Sequence, residues 1–214
     1  PALEGIMYPP LGKELDAANL MQENLVYGQC ALLVFQVALY RHWQSKGLTP
    51  AAAIGHSIGE FAAAVACELC TFHDALRAVH MRATLLQQTS SEGVMVAVRA
   101  SASTIQALLL SDAIPSADAT RVALAAENGP QSCVLSGDAT VVDRVVELLQ
   151  CSHRRLAVGR AFHSPLVESA ANSYRSSLAY FKPLFPKRGS APYLVSTVTG
   201  RSLRSEADAA THWA

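Results

Sequence analysis

At 214 residues, half of them hydrophobic and 16% charged, the chain can bury one sizeable core, or one core with a smaller insertion. Lys plus Arg balances Asp plus Glu at 17 each, so no basic surplus points to nucleic acid or to an anionic membrane. The five cysteines suit neither a disulfide framework nor a zinc site, because Cys67-Glu-Leu-Cys70 has no second pair. They read as reduced packing residues of a cytoplasmic protein. No apolar run approaches the roughly 18 residues of a membrane span, and nothing resembles a signal peptide. The chain opens on Pro1-Ala2-Leu3 and stops at Thr211-His212-Trp213-Ala214, so it is read as a piece of a longer polypeptide, cut at both ends.

Residues 1–24 hold turn formers and a weak helical stretch. From Gln29 to Trp43, Leu32, Leu33, Phe35, Leu39, Tyr40 and Trp43 recur at helical spacing. Lys46-Gly47 ends that helix, and Thr49-Pro50 leads into an apolar run, Ala51–Ile54, that predicts a strand. Gly55-His56-Ser57-Ile58-Gly59-Glu60 follows, and then the alanine-rich helix Phe61–Ala66. Thr71-Phe72-His73-Asp74 is a capping box opening a helix with Phe72, Leu76, Val79, Ala83 and Leu86 on its buried side. Arg82 lies in the third turn of that helix.

Past Ser90-Ser91-Glu92-Gly93 the rhythm changes. Strands are predicted at Val94–Val98, Val122–Ala126, Gln131–Leu135 and Arg154–Val158, and helices at Thr104–Leu110 and Val141–Leu149. Asn128-Gly129-Pro130 is a turn, and Ser136-Gly137-Asp138 a lead into the second helix. This β-α-β-β-α-β order is the ferredoxin-like arrangement. It divides the chain into a small subdomain, 92–160, inserted in a larger one made of 1–91 and 161–214. After it, Ser164 as N-cap and Pro165 start a helix running to about Phe181. The tail carries Pro183, Pro186, Gly189 and Pro192 and a short strand near Tyr193–Val198.

Strand, Gly-x-Ser-x-Gly, helix is the pattern of a nucleophile elbow. Glycines permit the sharp turn, Ser57 stands at its tip, and the N–H groups opening the next helix point to where an oxyanion would form. A serine hydroxyl is almost wholly protonated at neutral pH, so Ser57 needs a base. Of seven histidines, His42, His73, His80 and His153 read as surface or packing residues, and His212 lies in the tail. His56 adjoins Ser57, but neighbouring side chains at a tight turn diverge, which makes it a pocket wall. His163, in the loop that leaves the inserted subdomain, is favoured as the base. Arg82 could clamp a substrate carboxylate, or be a solvated helix-face arginine. No metal site, phosphate-binding loop or dinucleotide loop is present.

Taken together the motifs resemble the acyltransferase domain of polyketide synthases and the related malonyl-CoA:acyl carrier protein transacylases. The matching residues are Gln29-Cys30-Ala31-Leu32, Gly55–Glu60, Arg82, Ala126-Glu127-Asn128-Gly129-Pro130, Ser136-Gly137-Asp138 and Ala161-Phe162-His163-Ser164. The resemblance implies an α/β fold, an α/β-hydrolase-like parallel-sheet core carrying the ferredoxin-like insertion. It implies Ser57 as nucleophile, His163 as general base and Arg82 on the free carboxylate of a malonyl group. Gln29 and His56 would line the pocket, and the Ile58 N–H would donate to the oxyanion. Phe162, before the histidine, resembles the malonyl type, because its ring would crowd an added methyl.

The implied substrate is malonyl-CoA, with no bound cofactor. The implied partners are an acyl carrier protein, through its phosphopantetheine thiol, and neighbouring synthase domains. The family's N-terminal Gly-Gln-Gly stretch and C-terminal segment are absent from these residues, so the piece alone is expected to be weakly active or inactive. A serine hydrolase such as a thioesterase, and a silent docking module of a megasynthase, are the rival readings. The hydrolase would draw its acid from Asp74, Asp112, Asp118, Glu127, Asp138 or Asp143.

Overall fold

The computed structural model describes residues 2–89, 93–178 and 192–203. Two compact units divide the chain, one formed by Pro1–Gln87 with Asn172–Ala214 and the other by Gln88–Ala171. Sequence boundaries at 92 and 160 therefore differ from the compact division by a few residues at the first junction and eleven at the second. The second shift has a packing cause. A Cβ on Gly93 would lie 2.4 Å from the Cβ of Ala161 and 2.8 Å from Cδ1 of Leu166, so the segment beyond 160 is seated on the second unit.

In the first unit, the short helices α1 (Leu3–Met7) and α2 (Glu14–Glu23) precede the long α3 (Leu25–Ser45). Asn24 caps α3, its Oδ1 accepting from the N–H groups of Val26 at 3.0 Å and Tyr27 at 3.3 Å. Strand β1 (Ala52–Ile54), α4 (Gly59–Ala66) and α5 (Phe72–Gln87) follow. Thr71 opens α5 as the capping box requires: its Oγ1 accepts from the Asp74 N–H at 3.1 Å and donates to the Asp74 carboxylate at 2.6 Å.

Helix α3 packs chiefly on α5 and buries Cys30, Ala31, Leu33 and Val37. Apart from Leu33, the large side chains that mark its periodicity are not buried with them: Leu32, Phe35, Leu39 and Trp43 are 41 to 58% exposed. On α5 too, Ala75 and Ala78 are buried with Val79, Ala83 and Leu86, while Phe72 and Leu76 are half-buried. Small residues on the facing surfaces let two helix backbones approach closely, which large ones would prevent.

The second unit is a four-stranded sheet with helices on it. Its elements are β2 (Gly93–Val98), α6 (Ala102–Leu109), α7 (Ser116–Ala119), β3 (Val122–Gly129), β4 (Ser132–Asp138), α8 (Ala139–Leu149) and β5 (His153–Arg155). Strand order is β3-β4-β2-β5, every neighbouring pair antiparallel. This is the split β-α-β order of a ferredoxin-like sheet, as the alternation of periods predicted.

Differences are local. The hairpin turns at Pro130 and Gln131, β4 runs on through Ser136 and Gly137 to Asp138, and α7 has no counterpart in the prediction. Gly137 has no room for a side chain, since a Cβ there would lie 2.3 Å from the Arg121 carbonyl oxygen. Asp138 caps α8, accepting from the N–H groups of Thr140 and Val141. Val141, Val142, Val145 and Val146 then bury one face of α8, each contributing roughly 1.5–3 kcal/mol.

After the second unit's last strand, a single 3-10 turn (Pro165–Val167) leads into α9 (Glu168–Leu178). The predicted extension of this helix to Phe181, and Pro183, Pro186, Gly189 and His212, lie outside the described residues. Strand β6 (Tyr193–Val195) pairs parallel with β1, Ala52 opposite Tyr193 and Ile54 opposite Val195. Strand β7 (Ser202–Leu203), not predicted, adds antiparallel to β6. Among the described residues, the five cysteines are unpaired and no helix is long and apolar enough to cross a membrane.

Candidate active site

Strand β1 ends at Ile54, the chain reverses over Gly55–Ile58, and α4 starts at Gly59. Ser57, half-buried, sits at the turn with φ 51°. That left-handed backbone is uncommon for a residue with a side chain, and it clusters where function requires it. The two glycines of the motif have different duties. A Cβ on Gly55 would lie 2.3 Å from the Gly59 carbonyl and the Glu60 nitrogen, backbone against backbone, so nothing larger than hydrogen fits. A Cβ on Gly59 would meet only Gln36 Nε2, at an ordinary 3.6 Å.

The turn is closed by bonds from the N–H groups of Gly59, Glu60 and Phe61 to the carbonyls of His56, Ser57 and Ile58, at 2.9, 3.1 and 3.2 Å. The Ile58 N–H takes no part in them, which suits the oxyanion role expected of it. His56, next to Ser57, is exposed. Glu60 is buried, and its Oε1 accepts from both the N–H (3.1 Å) and the hydroxyl of Thr197, 137 residues on. Thr197 follows β6, so this carboxylate ties the helix behind Ser57 to the end of the strand beside β1. No local sequence signal announces that tie.

A second group forms between α3 and α5. Arg82 Nη1 donates to Gln29 Oε1 at 2.7 Å, so two residues expected at the site meet directly. Among the described residues, no carboxylate pairs with Arg82. Burial pulls the guanidinium below the ordinary arginine value while the nearby Tyr174 phenol opposes that shift; it remains a cation. A desolvated guanidinium bonded to a neutral amide retains donors for an anion.

The histidine loop belongs to the second unit. His163 is exposed and, like Ser57, left-handed, with φ 58°; Phe162 beside it is half-buried. Buried Ser164 holds the loop, donating through Oγ to the Ala161 carbonyl at 2.7 Å and accepting from the Leu166 N–H at 3.3 Å. Ser164 is thus the N-cap expected, and Pro165 follows it in the 3-10 turn. His42, His73, His80 and His153 are all exposed.

Four acids proposed for a hydrolase have other work. Asp74 belongs to the Thr71 cap, Asp118 pairs with Arg121 and Arg144, Asp138 caps α8 and binds Arg121, and Asp143 pairs with Arg155. The hydrogen bond from the Thr140 hydroxyl is the first cause of a depressed Asp138 carboxyl.

The family model described as "Acyl transferase domain" matches residues 16–214. Polyketide synthase GfsA of Streptomyces halstedii is 34% identical over 222 residues, which cover 99% of this chain and 3% of that protein. Mycoketide-CoA synthase of Mycobacterium tuberculosis is 34% identical over 198 residues, 89% of this chain and 4% of the relative. Among solved structures, the acyltransferase domain from the second module of the salinomycin polyketide synthase matches with a TM-score of 0.80 at 32% identity, covering 98% of this chain and 47% of that one. The chain thus spans a few per cent of these synthases and about half of that solved chain.

Proposed function

Because this chain belongs to the acyl transferase domain family, we propose that it moves a malonyl group from coenzyme A to the phosphopantetheine thiol of an acyl carrier protein, in polyketide biosynthesis. The observation that carries this reading is Ser57, presented left-handed at the tip of a turn that backbone contacts leave no freedom to relax. Ser57 Oγ attacks the thioester carbon as His163 takes its proton. The oxyanion formed is met by the Ile58 N–H, the C–S bond breaks, and coenzyme A leaves as the thiol with that proton. In the second half the carrier's thiol gives its proton to His163 and attacks the malonyl-serine ester. Ser57 leaves as the alcohol, reprotonated by the imidazole.

Arg82 receives the malonyl carboxylate, with Gln29 holding the guanidinium from one side. Its desolvation and lack of an acidic partner among the described residues support this role. Phe162 disfavours a branched extender, and one methyl is worth ~1–3 kcal/mol in such a pocket. His56 forms part of the pocket wall. The partner is a carrier protein within a synthase assembly, and unpaired cysteines suit a reducing compartment.

Malonyl-CoA incubated with the intact domain should leave a stable malonyl mass increase on Ser57, absent in Ser57→Ala. An adduct surviving that substitution, or none on the unmodified intact domain, would reject the scheme. Turnover of the adduct by water within seconds would instead mark a hydrolase.

A further inference from the structure

Among the described residues three buried side-chain atoms have no hydrogen-bond partner: Gln36 Oε1, Ser136 Oγ and the Tyr174 hydroxyl. An unmade bond at a buried polar atom is costly, so each such atom calls for a physical reason. Tyr174 stands on α9, in the first unit with Arg82 and Gln29. Its ring packs on the core cluster that includes Cys30, next to Gln29, and Ala78 and Val79, one turn before Arg82. Burial pushes the phenol well above its ordinary value, with the Arg82 charge opposing, so the hydroxyl keeps its proton and is available to donate.

We propose that Tyr174 is a substrate-binding residue, its hydroxyl donating to the carboxylate that Arg82 pairs with. This rests on the reading of Arg82 given above. A malonyl carboxylate has acceptor positions for both the guanidinium and a phenol. An acetyl group has none, and would leave the Tyr174 hydroxyl as unsatisfied as it is in the free protein. A buried polar group that only the correct substrate completes discriminates against the analogue lacking that function. Tyr174 therefore sharpens selection of dicarboxylic acyl groups without touching the transferred carbonyl.

The test compares Tyr174→Phe and Arg82→Ala in the intact domain, reading Ser57 acylation by malonyl-CoA and by acetyl-CoA and the thermal midpoint. Tyr174→Phe should fold with an unchanged or raised midpoint, because the lost hydroxyl made no bond. Its kcat/KM for malonyl-CoA should fall about ten- to a hundred-fold, the range for a hydrogen bond to a charged group, with acetyl-CoA unaffected. Malonate ion should raise the midpoint of the unmodified chain more than that of Tyr174→Phe. Equal losses on both substrates, no loss on either, or a variant that fails to fold would each overturn the proposal. If Arg82→Ala also leaves malonyl preference intact, the reading of Arg82 falls with it. If Arg82→Ala abolishes the preference while Tyr174→Phe keeps it, only the tyrosine's role falls.

Discussion

The turn around Ser57 and the loop around His163 both place a side chain of the proposed mechanism on left-handed backbone, at φ 51° and 58°, yet they are held by different means. The turn is held by main chain: Gly55 lies against the backbone of Gly59 and Glu60, and three short-range N–H bonds close it. The histidine loop is held by side chains, through Ala161 and Leu166 resting on Gly93 and through the Ser164 cap. Contacts among neighbours in sequence can be written into a motif. Contacts made across a domain leave no motif, only residues of suitable size.

Four substitutions probe the two kinds of support. Gly55→Ala should have the largest effect, because a methyl 2.3 Å from backbone atoms cannot be relieved by a side-chain rotation. We expect a loss of Ser57 acylation of at least about a hundred-fold, with a midpoint lowered by several degrees, the scale of 3 kcal/mol or more. A fully active Gly55→Ala would show that the turn is not held by its main chain. Gly93→Ala should come next, since Leu166 can rotate but the Ala161 Cβ moves only with its backbone. Acylation should slow about ten-fold, with KM for malonyl-CoA little changed, as the loop shifts. A KM effect with unchanged kcat would assign Gly93 to substrate binding instead.

Ser164→Ala removes one donor and one acceptor at the loop and should lower stability by about 1 kcal/mol, read by denaturant midpoint. Smallest of all should be Gly59→Ala, in spite of its place in the motif. Its Cβ meets only Gln36 at 3.6 Å, and alanine favours a helix over glycine by up to ~1 kcal/mol, so stability should hold or rise. A collapse of activity there would mean that the motif's second glycine does more than its surroundings indicate.

The same distinction decides what could be read from the chain beforehand. The turn at Ser57 and the Thr71 cap were legible, because both are made by residues within a few positions of one another. The alternation of strand and helix periods revealed the second unit's order, although a turn moved by a residue and Gly137 proved to be inside a strand. Periodicity located α3 but misled about its buried face, because Cys30 and Ala31 were chosen by the closeness of α5 and not by hydrophobicity. Glu60 with Thr197 and Gly93 with Ala161 were invisible. Each joins positions far apart, and each looks ordinary in its own neighbourhood. The Gln29–Arg82 bond was anticipated only as two residues lining one pocket, not as partners.

The strained backbone at position 57 also restricts which alcohol can serve there. A threonine would present an equally capable oxygen, but its branched β-carbon is at odds with a positive φ. The proposed transfer would accept either hydroxyl; the backbone at this position favours the unbranched one.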